Sequence, residues 1–183
     1  MQPRLRGRFG RDYRYVERTA STQRLLDDAS EGAVAVADEQ TEGRGRLGRS
    51  WVARPGTSLL LSLLLEPLVA AARLPELTLV AGEACAEAIA TVTGLEPTIK
   101  HPNDVLVGGR KVAGILAEAR DGRVVLGLGV NVNADENELP TGTETPAGSL
   151  SLAAGREFSR LELLVELLLR LERHYDAWTA RAR

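Results

Sequence analysis

Of the 23 basic residues only Lys100 and Lys111 are lysines, and the only asparagines are Asn103, Asn131, Asn133 and Asn137. Both lysines and three of the asparagines fall within residues 100–133. The chain otherwise prefers Arg, Ala, Leu, Gly and Glu, so this clustering marks residues present for their chemistry. Lysine supplies a compact cation, and asparagine supplies paired donors and acceptors for a polar ligand.

These residues sit in three segments. Lys100-His101-Pro102-Asn103-Asp104 combines a cation with two side chains that can build a turn, or hold a nucleotide or Mg²⁺. In Lys111-Val112-Ala113-Gly114-Ile115-Leu116-Ala117-Glu118, regular strand alternation puts Ala113 and Ile115 on the face of Lys111. Gly114 leaves room for a ligand near the backbone. Gly127-Leu128-Gly129-Val130-Asn131-Val132-Asn133 carries strand glycines of the kind that admit a ligand or a second backbone. Asn131 there could meet the edge of an adenine.

Two earlier segments add to this set. Gly43-Arg44-Gly45-Arg46-Leu47-Gly48-Arg49 packs three glycines and three guanidiniums into seven residues. Such a loop suits an anionic ligand that it folds over, because guanidinium pairs bidentately with carboxylate and phosphate. The segment also spells G-x-G-x-x-G, but that dinucleotide motif must open a helix after a strand. Ser-Trp-Val-Ala-Arg-Pro-Gly follows instead. Ser21-Thr22-Gln23 offers hydroxyls that either cap a helix or join its free amides in holding a polar head group.

The elements that must position these groups can be read from periodicity. Residues 19–30 predict a short amphipathic helix and residues 33–37 a buried strand. Residues 38–55 form a long polar loop, and loops of that length inside a domain are usually functional. Residues 58–65 read as a strand. Residues 74–93 read as a helix, with Pro75 in its first turn and Gly94 as its cap. Short strands at 98–100, 105–107, 111–119 and 124–132 follow, joined by Gly108-Gly109 and Asp121-Gly122 hairpin turns. Residues 134–148 are loop, and 161–175 form a strongly apolar helix. The order predicts an α+β fold, a mainly antiparallel or mixed sheet with helices packed on it.

Composition narrows the classes. A chain of 183 residues with 44% hydrophobic and 26% charged residues is expected to form one ordinary soluble domain. A formal net charge of −2 argues against a protein that coats nucleic acid. One cysteine, Cys85, and two distant histidines, His101 and His174, give no disulfide framework and no zinc-ligand spacing. No apolar run is long enough to span a membrane, and the arginine-rich first 16 residues lack the apolar stretch of a secretory signal. A cytoplasmic location is the expectation.

In this order and spacing the motifs resemble those of the biotin protein ligases, the biotin–[biotin carboxyl carrier protein] or acetyl-CoA-carboxylase ligases. GRGRLGR is similar to the family's GRGRxGR, KHPND to KWPND, KVAGILAE to KxAGIL, GLGVNVN to GxGxN, and STQ to STN. The resemblance runs from about Thr19 to Asn133. It implies the catalytic fold shared with class II aminoacyl-tRNA synthetases. It also implies two half-reactions. Biotin and MgATP give biotinyl-5′-AMP and pyrophosphate, and a lysine of the carrier protein then takes the biotinyl group.

The resemblance implies roles as well. Lys111, Arg46 and Arg44 would be catalytic. Ser21, Thr22, Gln23, Gln40, Arg44, Gly45, Arg46, Lys111 and Gly114 would line the biotin site. Arg46, Arg49, Trp51, Lys100, Asn103, Asp104, Ile115 and Asn131 would serve ATP, with Trp51 near the adenine and Asp104 a weak Mg²⁺ ligand. Gln23 in place of the usual Asn, Leu47 in place of an often basic residue, and His101 in place of Trp depart from the pattern. The expected organisation is a single catalytic domain over residues 1–183, without a winged-helix DNA-binding domain or a C-terminal SH3-like domain. Neither DNA nor membrane is therefore an expected partner, and a homodimer is compatible with the family. The competing readings are a lipoate–protein ligase, and a biotin or adenylate binder without transfer activity.

Overall fold

In the computed structural model, residues 7–182 are described. Seven strands form one mixed sheet in the order β1-β2-β3-β7-β6-β5-β4. They are β1 (Tyr13–Thr19), β2 (Val34–Gln40), β3 (Ser58–Leu65), β4 (Pro97–Lys100), β5 (Asp104–Val107), β6 (Arg110–Arg120) and β7 (Arg123–Asn131). β1 and β2 are parallel, and every other pairing is antiparallel. The helices are α1 (Glu76–Thr93), α2 (Leu150–Ala154) and α3 (Arg160–Ala182). The α+β expectation holds.

The β4–β7 meander follows from its turns. Gly108 and Gly109 take φ of 57° and 77°, and Asp121 and Gly122 take 53° and 78°. Positive φ at both central residues is the hairpin geometry that matches strand twist, and glycine adopts it at no steric cost. α1 stops at Gly94, whose φ is 75° and whose N–H donates to the Ala90 carbonyl. That is the left-handed cap that its sequence predicts.

The two faces of the sheet are covered differently. Alternate strand residues Leu59, Leu61, Leu63 and Leu65, with Val124, Leu126, Leu128 and Val130, pack against α1 and α3 in the main core. α3 presents Leu163, Leu164, Leu167, Leu168, Leu171, Tyr175 and Trp178 as one buried stripe. Each such leucine contributes roughly 1.5–3 kcal/mol by leaving water. The other face carries only a small cluster, Leu26, Ala29, Ala33, Ala35 and Leu64. Loops close over the rest of it.

Several expectations change. The helix read at 19–30 is a single 3-10 turn, Thr22–Leu26, because β1 runs through Thr19 and Ser21 makes no side-chain cap bond. β1 itself escaped the periodicity reading. It is a half-exposed edge strand without clean alternation, and charged residues are normal there. α3 runs past Tyr175 to Ala182. Trp178 extends the stripe and donates from Nε1 to Glu76 Oε2 at 2.8 Å, which ties α3 to α1. The segment before β1 is held on α3. Arg8 and Phe9 donate their backbone N–H groups to Glu172 Oε2 at 2.7 and 3.1 Å, and Phe9 packs on Tyr175.

Candidate active site

The loop-covered face holds a cavity of about 590 Å³. That is within the size range of pockets for small molecules and cofactors. It is lined by segments from all five motifs, spread along the chain from Ser21 to Asn131 and brought together by the strand order. Ser21, Thr22, Gln23, Gln40, Arg44, Gly45, Arg46, Arg49, Trp51, Lys100, Asn103, Asp104, Lys111, Gly114, Ile115 and Asn131 all line it. Every residue to which the resemblance gave a role thus lines one cavity, whereas Asn133 instead bonds the Phe158 backbone.

One end is built from buried polar groups. Gln40 Oε1 accepts from the Thr22 amide at 2.7 Å and from Thr22 Oγ1 at 3.0 Å. Thr22 Oγ1 also lies 2.7 Å from Ser62 Oγ. Leu61, Leu116 and Leu128 line the cavity with them. A chamber with apolar walls and a few fixed hydrogen-bonding groups suits a compact, mainly apolar ligand with a polar head. Ser62 was not singled out from sequence. Its signal is a hydroxyl inside the leucine run 58–65, because a buried hydroxyl needs a partner.

The middle of the cavity has a floor without side chains. Gly114 pairs with Gly129 across β6 and β7, and Leu116 pairs with Gly127. The Trp51 indole lies on that floor. A Cβ at Gly114 would stand 2.8 Å from Trp51 Cζ3, and one at Gly129 would collide with Trp51 Cε2. The indole Nε1 is buried and has no partner among the described residues. Trp51 therefore sits beside Lys111, whose Nζ is 5.7 Å from the ring centroid.

Lys111 reaches this floor through an irregularity that alternation cannot foresee. The β5–β6 register shifts between Val105 and Leu106, so Val112 is an extra residue in β6. Val112, Ala113 and Ile115 are all buried in the helix-side core, whereas Lys111 and Gly114 meet in the cavity. The expectation that Ala113 and Ile115 share the face of Lys111 is overturned by this bulge, which shifts the side-chain phase by one. Ile115 lines the cavity only at its edge. Its side chain is 1% exposed, and its carbonyl accepts from Asn103 Nδ2 at 3.1 Å.

Charge is concentrated here. Arg44, Arg46, Arg49, Lys100 and Lys111 face two carboxylates, Asp104 and Glu144. Lys111 Nζ is 2.7 Å from Asp104 Oδ1, an ion pair without hydrogen-bond alignment. Lys100 donates to Thr145 Oγ1 at 2.6 Å and lies 3.5 Å from Glu144. Arg46 donates to Asn103 Oδ1 at 3.1 Å, which ties the arginine loop to the 101–103 turn. Five cations against two carboxylates make the cavity a site for anions. Among the described residues no group of three His, Cys, Asp or Glu side chains could hold a metal ion.

A second loop, residues 134–148, closes the far side. Asn131 Nδ2 donates to the Gly148 carbonyl at 3.0 Å, and Ser58 Oγ donates to Asn131 Oδ1 at 3.4 Å. Arg54 of the arginine loop reaches Glu138 at 2.5 Å, so the two loops are tied to each other. That ion pair holds the Glu138 carboxyl below its ordinary range. Glu144 and Thr145 were read only as loop, and no pattern in sequence marks them.

The comparisons agree with this geometry. Residues 15–135 match the model of the biotin/lipoate A/B protein ligase family. The bifunctional ligase/repressor BirA of Bacillus subtilis is 38% identical over 177 residues, covering 91% of this chain and 54% of that protein. The biotin–[acetyl-CoA-carboxylase] ligase of Mycobacterium tuberculosis is 36% identical over 173 residues, covering 89% of this chain and 64% of that one. The chain thus spans about half the length of the Bacillus relative. Among solved structures, the Aquifex aeolicus biotin protein ligase in complex with biotin and ATP superposes with a TM-score of 0.85 at 33% identity, covering 94% of this chain and 73% of that one. A cavity built from the five motifs, on a sheet shared with that structure, places this chain in the biotin/lipoate A/B protein ligase family.

Proposed function

We propose that this chain is the catalytic unit of an ATP-dependent biotin protein ligase. It forms biotinyl-5′-AMP from biotin and MgATP, and then passes the biotinyl group to a lysine of a biotin carboxyl carrier protein. The observation that carries this reading is Lys111, set on the two-glycine floor between the Thr22–Gln40–Ser62 chamber and the cationic Lys100–Arg46–Asn103 side.

The chemistry needs that arrangement. In the first step a carboxylate oxygen attacks the α-phosphorus and pyrophosphate leaves. Two anions must meet, and at about 4 Å and an effective dielectric near 20 their repulsion is roughly 4 kcal/mol. Lys111 and Arg44 would offset it where the groups join, and preorganised cations act without reorganising during the reaction. The chamber of Thr22, Gln40 and Ser62 would take the polar ring of biotin. Arg46 and Arg49, on the loop, would fold over the adenylate and keep water from the mixed anhydride. In the second step the carrier's lysine amine attacks the acyl carbon and loses a proton, and AMP leaves with the bridging oxygen, which came from the biotin carboxylate.

Mg²⁺ would enter as the ATP complex. Asp104 is the carboxylate nearest the lysine that would meet the phosphates, and Mg²⁺ is commonly held by one or two carboxylates plus substrate oxygens. The proposed setting is the cytoplasm, where a thiol such as Cys85 stays reduced. No described helix is long and apolar enough to cross a membrane.

Pyrophosphate release from MgATP with biotin tests the reading, with lipoate and Lys111→Ala as controls. Release with biotin alone, lost in the variant, supports adenylation. Release with lipoate in its place moves the chain to the lipoate branch of the family. Biotin binding without release leaves a binder that does not activate its ligand.

A further inference from the structure

Three strand glycines line the cavity: Gly114, Gly127 and Gly129. The packing of the protein itself explains two of them, because a Cβ at Gly114 or Gly129 would run into the Trp51 indole. Gly127 is different. A Cβ there would stand 3.4 Å from Gln23 Nε2, 3.6 Å from the Leu116 carbonyl oxygen and 4.0 Å from Ser62 Oγ, all ordinary contact distances. Its backbone is regular strand, paired with Ser62 of β3 and Leu116 of β6, and its φ lies outside the left-handed region. Neither sterics nor backbone conformation calls for glycine at this position.

Glycine there has a cost. Inside a strand it is less stable than alanine, because the unfolded chain has more freedom to lose and the strand gains no side chain to pack. Val125, Leu126 and Leu128 around it carry full side chains. The missing one leaves a recess of about a methyl group in the cavity wall. Its place in the site is defined by its neighbours. Ser62 Oγ, on its border, is bonded to Thr22 Oγ1, which donates in turn to Gln40 Oε1. The Cβ position at Gly114 is instead 3.3 Å from Lys111 Nζ. The recess therefore opens into the polar chamber, and Gly114 belongs to the cationic middle of the cavity.

We propose that Gly127 is a specificity-determining residue of the chamber. Its missing side chain lets the cyclic head of the carboxylate substrate lie directly on the β7 backbone, between Gln23 and Ser62. Position 127 thereby sets how thick a head group the chamber admits. The inference rests on the reading above that this head is the fused ring of biotin.

Gly127→Ala tests it, because the change fills the recess with one methyl group. The melting temperature should hold or rise, by up to about 4 °C, since alanine fits the observed backbone. Biotin affinity, followed by calorimetry, should fall about 10- to 200-fold, the discrimination that one methylene gives in a pocket. Biotinol keeps the fused ring and carries an alcohol in place of the carboxylate, and it should lose affinity by the same factor. KM for ATP at saturating biotin should stay within about twofold of wild type, the scale of a site left untouched. A melting temperature lowered by several degrees would make the glycine a requirement of the fold and overturn the proposal. Wild-type biotin affinity in the variant would overturn it as well. A loss confined to biotin, with biotinol unaffected, would move Gly127 to the carboxylate end and overturn its role toward the head. A wild-type protein that binds no biotin would instead overturn the proposed function, and the specificity role with it.

Discussion

The two faces of this sheet are made from the same strands and differ in what fills them. On the helix face, alternate residues of β3 and β7 are leucine and valine, and α1 and α3 cover them with matching apolar stripes. On the loop face, the intervening residues include Ser58, Ser62, Gly127, Gly129 and Asn131, with Leu64 and Val125 left to the small cluster at one end. Ser21, Thr22, Ser58, Ser62, Asn131 and Ser149, the buried polar residues of the described chain, belong to the cavity or to the loop behind it. One face is filled to hold the fold, and the other is left short of side chains so that a ligand can complete it. Stability and function are therefore expected to separate by face.

The largest effect should come from Lys111→Ala. Loss of the central cation should slow pyrophosphate release by about 10²–10³-fold, the scale of removing one preorganised electrostatic group. The far-ultraviolet circular dichroism spectrum should stay native. An equal loss of folded signal would erase the separation.

A matched pair sharpens the comparison. Leu126→Ala on the helix face should cost about 2–5 kcal/mol in urea unfolding, because Leu126 is 1% exposed and its removal leaves a cavity. Gly129→Ala on the loop face should leave the urea midpoint nearly unchanged. Its new Cβ collides with Trp51, so ligand affinity should fall and the tryptophan fluorescence should change. Reversed outcomes would break the assignment of the faces.

A smaller effect is expected from charge on the helix face. Glu87 of α1 binds Arg170, Arg173 and His174 of α3. The hydrogen bonds from His174 and Arg173 hold its carboxyl down to about 2, from an ordinary value of 4.5. A carboxyl whose folded pKa is depressed stabilises the fold above its unfolded pKa and loses that contribution as pH falls through the folded value. The melting temperature should fall between about pH 4.5 and 2, more steeply in wild type than in Glu87→Gln. The carboxylate is about a third exposed, so solvent screening limits the contribution to the order of 1 kcal/mol. Activity per folded molecule at neutral pH should not change.

The smallest effect belongs to the tie between the two cavity loops. Glu138→Gln weakens its pair with the exposed Arg54 and should raise KM for ATP or biotin roughly twofold, with kcat and melting temperature held. A change in melting temperature without one in KM would make the pair an ordinary surface contact.

Much of this was legible before folding, for identifiable reasons. Gly108-Gly109, Asp121-Gly122 and Gly94 are local: each needs a backbone conformation that few residues adopt, so the turn is written where it occurs. The leucine and valine alternation in β3 and β7 is also local. The candidate residues stood out because lysine and asparagine are rare in this chain and cluster. β1 was missed because a parallel edge strand takes its neighbour from residues about 21 positions later, and its own pattern carries no alternation. The 3-10 turn at Thr22–Leu26 was read as a longer helix because Leu25, Leu26 and Ala29 fall on one side of a helix, although β1 had already claimed Thr19.

Sequence alone picked out residues that line the cavity, because their types and motif order are properties of the chain. Tertiary structure decided how they face one another. The extra residue in β6 turns Lys111 into the cavity, and strand order brings Gly114 beside Gly129. The half of β6 that β5 leaves unpaired places Glu118 within reach of Arg44, 74 residues away. Register, bulges and pairing beyond neighbouring hairpins depend on energies summed across the whole sheet, and no local window of sequence contains them.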